Sequence, residues 1–115
     1  MAILIIKDPI TRFKLREIAK ERFGDLVKAA VDIEQELMAV GGELHVDEEV
    51  ELIEKEQSKN ENVWGINIYP DKEGEDFIEF DSMINIKPKF GNRTRGVDNL
   101  KIKNKIISIV NKLIQ

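Results

Sequence analysis

Residues 91–96, "GNRTRG", place Arg93 and Arg95 two positions apart between glycines, with Asn92 and Thr94 beside them and no apolar side chain. Two guanidinium groups this close repel each other unless an anion lies between them. Each offers planar, bidentate donors to phosphate or carboxylate. The glycines open backbone conformations closed to other residues. N–H groups exposed by such a turn, just before a helix, favour an anion. Two sources of anion fit. A ligand such as phosphate or a nucleotide would make the loop a binding site. A carboxylate of the chain, Glu43 or Asp81 for instance, would make it an internal clamp.

Other polar residues fall where they could orient such a ligand. Asn67, Asp81 and Asn85 lie opposite the apolar residues of their own strands, as does Asp32. Short Asp and Asn side chains are poor strand formers. Their recurrence marks either a polar floor, joined by Asn92 from the loop, or a set of strand ends and bulges. His45, in "GGELHVDEE", is the only histidine and the one side chain suited to carry a proton near neutral pH. With Asp81 it forms the candidate catalytic pair; the alternative is a structural residue preceding a helix. One histidine and no cysteine rule against zinc. Glu43, Asp47 and Asp81 would suit Mg²⁺, but Asp47 reads first as a helix cap, so no metal is assigned. No phosphate-loop pattern, dinucleotide fingerprint or nucleophile elbow occurs. The cofactor is unassigned and enzymatic activity is an open question.

The elements that must position these residues follow from periodicity. "AILII" (2–6) is a short β-branched run that reads as a buried strand, ended by Pro9. Thr11 caps a helix over 12–23 with Phe13, Leu15, Ile18, Ala19 and Phe23 as its stripe, stopped by Gly24. Residues 26–34 alternate, with Ala29, Val31 and Ile33 on one face and Lys28, Ala30 and Asp32 on the other. They form a hairpin with 36–42 about Gln35. Asp47 caps a peripheral helix, 48–57, whose narrow apolar face is Val50, Leu52 and Ile53. Residues 63–69 and 77–87 alternate across a Pro70–Gly74 turn, with Trp64, Ile66 and Ile68 inward on the first. Ile78, Phe80, Ile84 and Ile86 point one way on the second. An amphipathic helix starting near Asp98 or Asn99 closes the chain, with Ile106 and Val110 facing Trp64 and Phe80. The order β-α-β-β-α-β-β-α predicts a single α+β domain over 1–115. Its sheet is mostly antiparallel, with the helices packed on one face.

The 115 residues suit one core, and 35% of them are charged. The net charge of −4 hides a division. Residues 43–81 hold fourteen acidic side chains and three basic ones; residues 82–115 hold eight basic and one acidic. The acidic block repels nucleic acid and the basic tail attracts it. Only 6% of residues are aromatic and Trp64 falls on the apolar side, which argues against a base-stacking surface and against nucleic acid as partner. The apolar N-terminal run is too short to span a membrane, and the lack of cysteine fits a reducing compartment, so a cytoplasmic location is expected.

"GGELHVDEE", "WGINIYPD", "IEFDSMINIKP" and "GNRTRGV" together resemble a small prokaryotic family of about this length known only as a domain of unknown function. The resemblance implies a compact, single-domain, cytoplasmic protein and brings no activity or site residue with it. Two functional readings follow from the residues. One is a binding module, with or without turnover, for an anionic small molecule bearing phosphate. Arg93 and Arg95 would hold the anion, and Asn67, Asn85 and Asn92 would orient it. The other is an interaction or homo-oligomerisation protein whose arginine loop is a structural clamp.

Overall fold

The structure, a computed structural model, describes residues 3–115. Ala2, where the expected first strand begins, lies outside the described residues. The elements are β1 (Leu4–Ile6), α1 (Arg12–Lys20), β2 (Val27–Asp32), β3 (Leu37–Val40), α2 (His45–Glu56), β4 (Val63–Ile68), β5 (Ile78–Glu79) and α3 (Leu100–Leu113). All strand pairs are antiparallel, in the spatial order β1-β3-β2-β4-β5. This is an α+β fold in the order that the periodicities indicate.

The larger core lies on one face of the sheet. Ala29 and Val31 of β2 stand level with Val40 and Met38 of β3, and with Ile66 and Trp64 of β4. α1 covers this layer with Leu15, Ile18 and Ala19, and α3 covers it with Ile106, Ile109, Val110 and Leu113. Thr11 and Asn99 cap the two helices by accepting from Lys14 N–H and Ile102 N–H. Phe13 and Phe23, placed on the α1 stripe by spacing, are 67% and 40% exposed. α1 ends at Lys20, so Phe23 falls beyond it, and Gly24 closes the turn with φ of 91°.

α2 lies across the opposite face, where Leu52 packs on Ala30, Ala39 and Val63. Both faces of the sheet centre are therefore covered, and β4 is buried along its whole length. α2 begins at His45, two residues before the expected Asp47 cap, and no side chain caps its Leu44 N-cap position. Glu48 instead reaches back to accept the Gly42 N–H at 3.0 Å. Of the apolar face assigned to this helix, only Leu52 turns inward. Val50 and Ile53 are exposed, while His45, Glu48 and Glu49 are buried.

The last expected strand, 77–87, pairs only at Ile78 and Glu79. Beyond Phe80 the chain folds over β4 at Gly65, where an added Cβ would run into Ser82 Oγ. A 3₁₀ turn, Met83–Asn85, follows, with its Ile84 N–H bonded to Ser82 Oγ. Here the Asn85 side chain replaces a neighbouring strand. Its Oδ1 accepts the Gly65 N–H at 2.7 Å and its Nδ2 donates to the Gly65 carbonyl at 2.9 Å. The alternation expected of residues 84–87 is thereby broken. Ile84 joins the α2 side, Ile86 is 37% exposed, and Asn85 and Lys87 are buried. Ile84 and Ile86 are thus not neighbours of Trp64 in the main core, whereas Ile106 and Val110 are.

Replacing Asn85 by Ala removes both bonds to Gly65 and leaves its buried N–H and C=O unpaired. Each orphaned group costs about 1–3 kcal/mol. The variant is expected to lose at least that amount in urea denaturation. A loss within about 0.5 kcal/mol, typical of surface sites, would show that the side chain does not substitute for a strand.

Candidate functional site

The arginine loop is held by its own asparagine. Asn92 is buried; its Nδ2 donates to the Asn85 carbonyl at 2.7 Å and the Gly96 carbonyl at 2.8 Å, and its Oδ1 accepts the Asp98 N–H at 2.9 Å. Backbone bonds between Lys87 and Asn92 close the loop base, and Gly91 makes the turn at φ of 83°. Gly96 has no such positive φ. The two arginines then part. Arg95 Nε donates to Asp81 Oδ1 at 2.6 Å, in a half-exposed pair of the kind worth at most about 1 kcal/mol. Arg93 is exposed and has no partner among the described residues. Asn85 and Asn92, expected to orient a ligand, spend their amides inside the chain and act here as loop pins.

A cleft of ≈ 430 Å³ opens between α2, β4 and the 80–95 segment, and it gathers residues from four parts of the sequence. His45, Asn67, Asp81 and Arg95 line it, as does Lys28 of β2, which sits beside Asn67 in the strand register. Leu44, Val46 and Met83 form an exposed apolar rim. Of the residues singled out in the sequence, His45, Asn67, Asp81 and Arg95 thus line one cleft. Arg93, Asn85 and Asn92 lie outside it. Lys28 carried no expectation, although the hairpin alternation already put it on the face of Asn67. Asp32, another candidate for the polar floor, instead closes the β2–β3 turn, accepting from Ser58 Oγ at 2.6 Å and from the Glu34 and Gln35 N–H groups. Among the described residues, no three His, Cys, Asp or Glu side chains gather as a metal site.

A larger groove, ≈ 700 Å³, lies on the far side between β5 and α3. Its cations are already engaged. Arg12 stacks over Phe77 at 4.2 Å and donates to the Pro70 and Lys72 carbonyls, and Lys103 sits 4.9 Å over Phe80. The smaller cleft is lined by a residue with a buried polar atom that has no partner. His45 Nε2 lies 2.8 Å from the Ile66 carbonyl. A carbonyl only accepts, so Nε2 carries the proton and the neutral ring keeps Nδ1 bare. Burial holds the imidazole below its ordinary 6.5, with the Lys28 charge adding to this, while the Ile66 carbonyl and Asn67 pull the other way. Asn67 Nδ2 donates to Glu79 Oε1 at 2.8 Å, and Asn67 Oδ1 is buried with no hydrogen-bond partner. Lys28 forms no ion pair among the described residues; its ammonium lies 5.3 Å from the Phe23 ring. The cleft therefore presents an ammonium that rests on an aromatic ring with no carboxylate partner, a guanidinium paired on one side with Asp81, a neutral imidazole and a bare amide oxygen.

On the inward side of α2, Glu48 is fully buried and its Oε1 has no partner. Burial pushes its carboxyl well above the ordinary 4.5, against the pull of the Gly42 N–H. The folded state thus holds Glu48 protonated where the unfolded chain ionises. The stability this contributes is complete below 4.5 and is lost as pH rises through the raised value. His45 has the opposite sign: it favours the fold fully above 6.5 and loses that contribution as pH falls below it. Glu48→Gln is expected to flatten the alkaline decline in denaturation experiments across pH and to leave the acid-side decline in place. An unchanged alkaline slope would contradict a buried, protonated Glu48.

No curated protein and no solved structure matches the chain. A family model described as "Protein of unknown function (DUF5674)" matches residues 4–113, and the chain belongs to that family.

Proposed function

We propose that the protein binds a small, phosphate-bearing anion in the cleft between α2 and β4. The observation that carries this reading is the meeting of Lys28 and Arg95 over a buried floor whose Asn67 oxygen has no partner. The arginine loop contributes through Arg95 alone. Arg93 faces solvent away from the cleft lining. Two cations against one carboxylate leave the cleft positive, in a protein whose net charge is −4. The cleft's size lies within the few hundred to about 1,000 Å³ typical of small-molecule sites. Binding fits better than turnover, because Asp81 is committed to Arg95 and His45 stands without a second proton carrier. Were turnover present, His45 would be its proton acceptor.

The runner-up is an interaction or homo-oligomerisation protein, with Arg95–Asp81 as its clamp. Val46, Val50 and Ile53 favour it: they recur at helical spacing along α2 and stay exposed, next to Leu44 and Met83 on the cleft rim. Sedimentation over a range of concentrations separates the two. A stable dimer abolished by Val50→Lys supports the interaction reading; a monomer throughout removes self-association.

Thermal melts with inorganic phosphate at matched ionic strength test the binding reading. At a hundred times Kd the expected gain is about 2.7 kcal/mol. Lys28→Ala with Arg95→Ala should abolish the shift, and Arg93→Ala should preserve it. A shift that survives the double substitution, or none in the parent, overturns the proposal.

A further inference from the structure

The buried end of the cleft is more selective than its charged rim. Asn67 and His45 are each 8% exposed, whereas Asp81 and Arg95 lie at the surface. The orientation of the Asn67 amide is fixed from behind. Glu79 Oε1 accepts both its Nδ2 and the Tyr69 hydroxyl, so flipping the amide would set oxygen against carboxylate. Its Oδ1 consequently stays on the other side, buried and unpartnered. The Ile66 carbonyl accepts the Nε2–H in the same way, so the neutral ring turns Nδ1 toward Asn67 as a lone pair, and only a second proton on the imidazole would let it donate there. Two acceptors thus stand together with no donor between them, which a buried site tolerates poorly.

We infer that the cleft takes an anion that also carries uncharged hydrogen-bond donors, as a phosphorylated polyol does, with the anion at Lys28 and Arg95 and its hydroxyls at Asn67 Oδ1 and His45 Nδ1. This rests on the anion-binding reading and narrows it. An ammonium donor would satisfy the same acceptors but would meet Lys28 and Arg95 at close range. A bare phosphate reaches the rim and leaves the floor unpaired.

The probes are methyl phosphate and glycerol 3-phosphate, which share one charged group and differ in hydroxyls. In calorimetric titration of the full chain, glycerol 3-phosphate is expected to bind about tenfold more tightly, the worth of one neutral hydrogen bond. Asn67→Ala should weaken glycerol 3-phosphate binding far more than methyl phosphate binding, closing most of the gap between the two probes. A second readout needs no variant. His45 is the only histidine, so its imidazole nitrogens are unambiguous in ¹⁵N NMR. Glycerol 3-phosphate should shift Nδ1 as a donor reaches it, and methyl phosphate should not. Equal affinities with a still Nδ1, both probes being lost in Lys28→Ala, would overturn this inference and keep the anion site. Binding of neither probe would overturn both.

Discussion

The hydrogen bonds between the Asn85 amide and both backbone groups of Gly65 stand where a fifth strand would otherwise continue. The amide offers the same donor and acceptor pair as a strand residue, at 2.7 and 2.9 Å. It satisfies the β4 edge without a strand beyond Glu79. The chain is thus free to leave the sheet and wrap. Asn85 Nδ2 and the Ser82 N–H both bond the Arg95 carbonyl at 2.9 Å, which returns the loop to the end of β5. Asp81 and Arg95 are brought to the mouth of the cleft by this crossing, beside an Asn67 that belongs to the sheet itself. Gly65 is required at the same point because nothing larger fits beneath Ser82.

The second consequence is a polar layer beneath α2. The helix buries His45, Glu48 and Glu49, where an ordinary amphipathic helix would bury leucines. Glu49 accepts from Asn60 Nδ2 at 2.8 Å, and Lys87, buried nearby, donates to the Ile84 carbonyl and sits 5.1 Å over Trp64. Burial lowers the Lys87 ammonium's pKa, with the Glu49 charge acting against it. Among the described residues the buried side-chain atoms left without a partner are Glu48 Oε1, Trp64 Nε1 and Asn67 Oδ1, and of these three residues Asn67 lines the cleft. Buried polar groups left unpaired are uncommon, and Asn67 Oδ1 singles out this cleft more sharply than the loop does.

Much of the fold was legible because alternation and helical spacing are local. The element order, the first hairpin, the opening pairs of the second, the Thr11 cap, the start of the last helix and most of the main core face can be read from neighbouring residues. What was not legible depended on contacts distant in sequence. The pattern over 77–87 reads as a strand because Ile84 and Ile86 keep the period of two. Only the crossing at Gly65 shows why that period is idle. α2 was read as peripheral because its inward residues are charged, and no periodicity rule places Glu48 in a core. The arginine loop attracted notice for its two guanidinium groups, yet Asn92 and Thr94 serve the loop itself. The asymmetry of charge was equally visible, but its pairing was not. Lys7, Arg16 and Arg22 from the N-terminal third meet Glu56, Asp71 and Glu43, while Arg95–Asp81 is the ion pair joining the basic tail to the acidic block among the described residues.

The central claim is that Lys28 and Arg95, rather than the exposed loop, form the anion site. The most direct measurement is a ¹H–¹⁵N NMR titration with inorganic phosphate at constant ionic strength, following backbone amides and arginine Nε resonances. Saturable shifts confined to Lys28, His45, Asn67 and Arg95, with Arg93 unmoved, are the predicted result. Shifts centred on Arg93, or on Arg12 and Lys103 across the molecule, would contradict it.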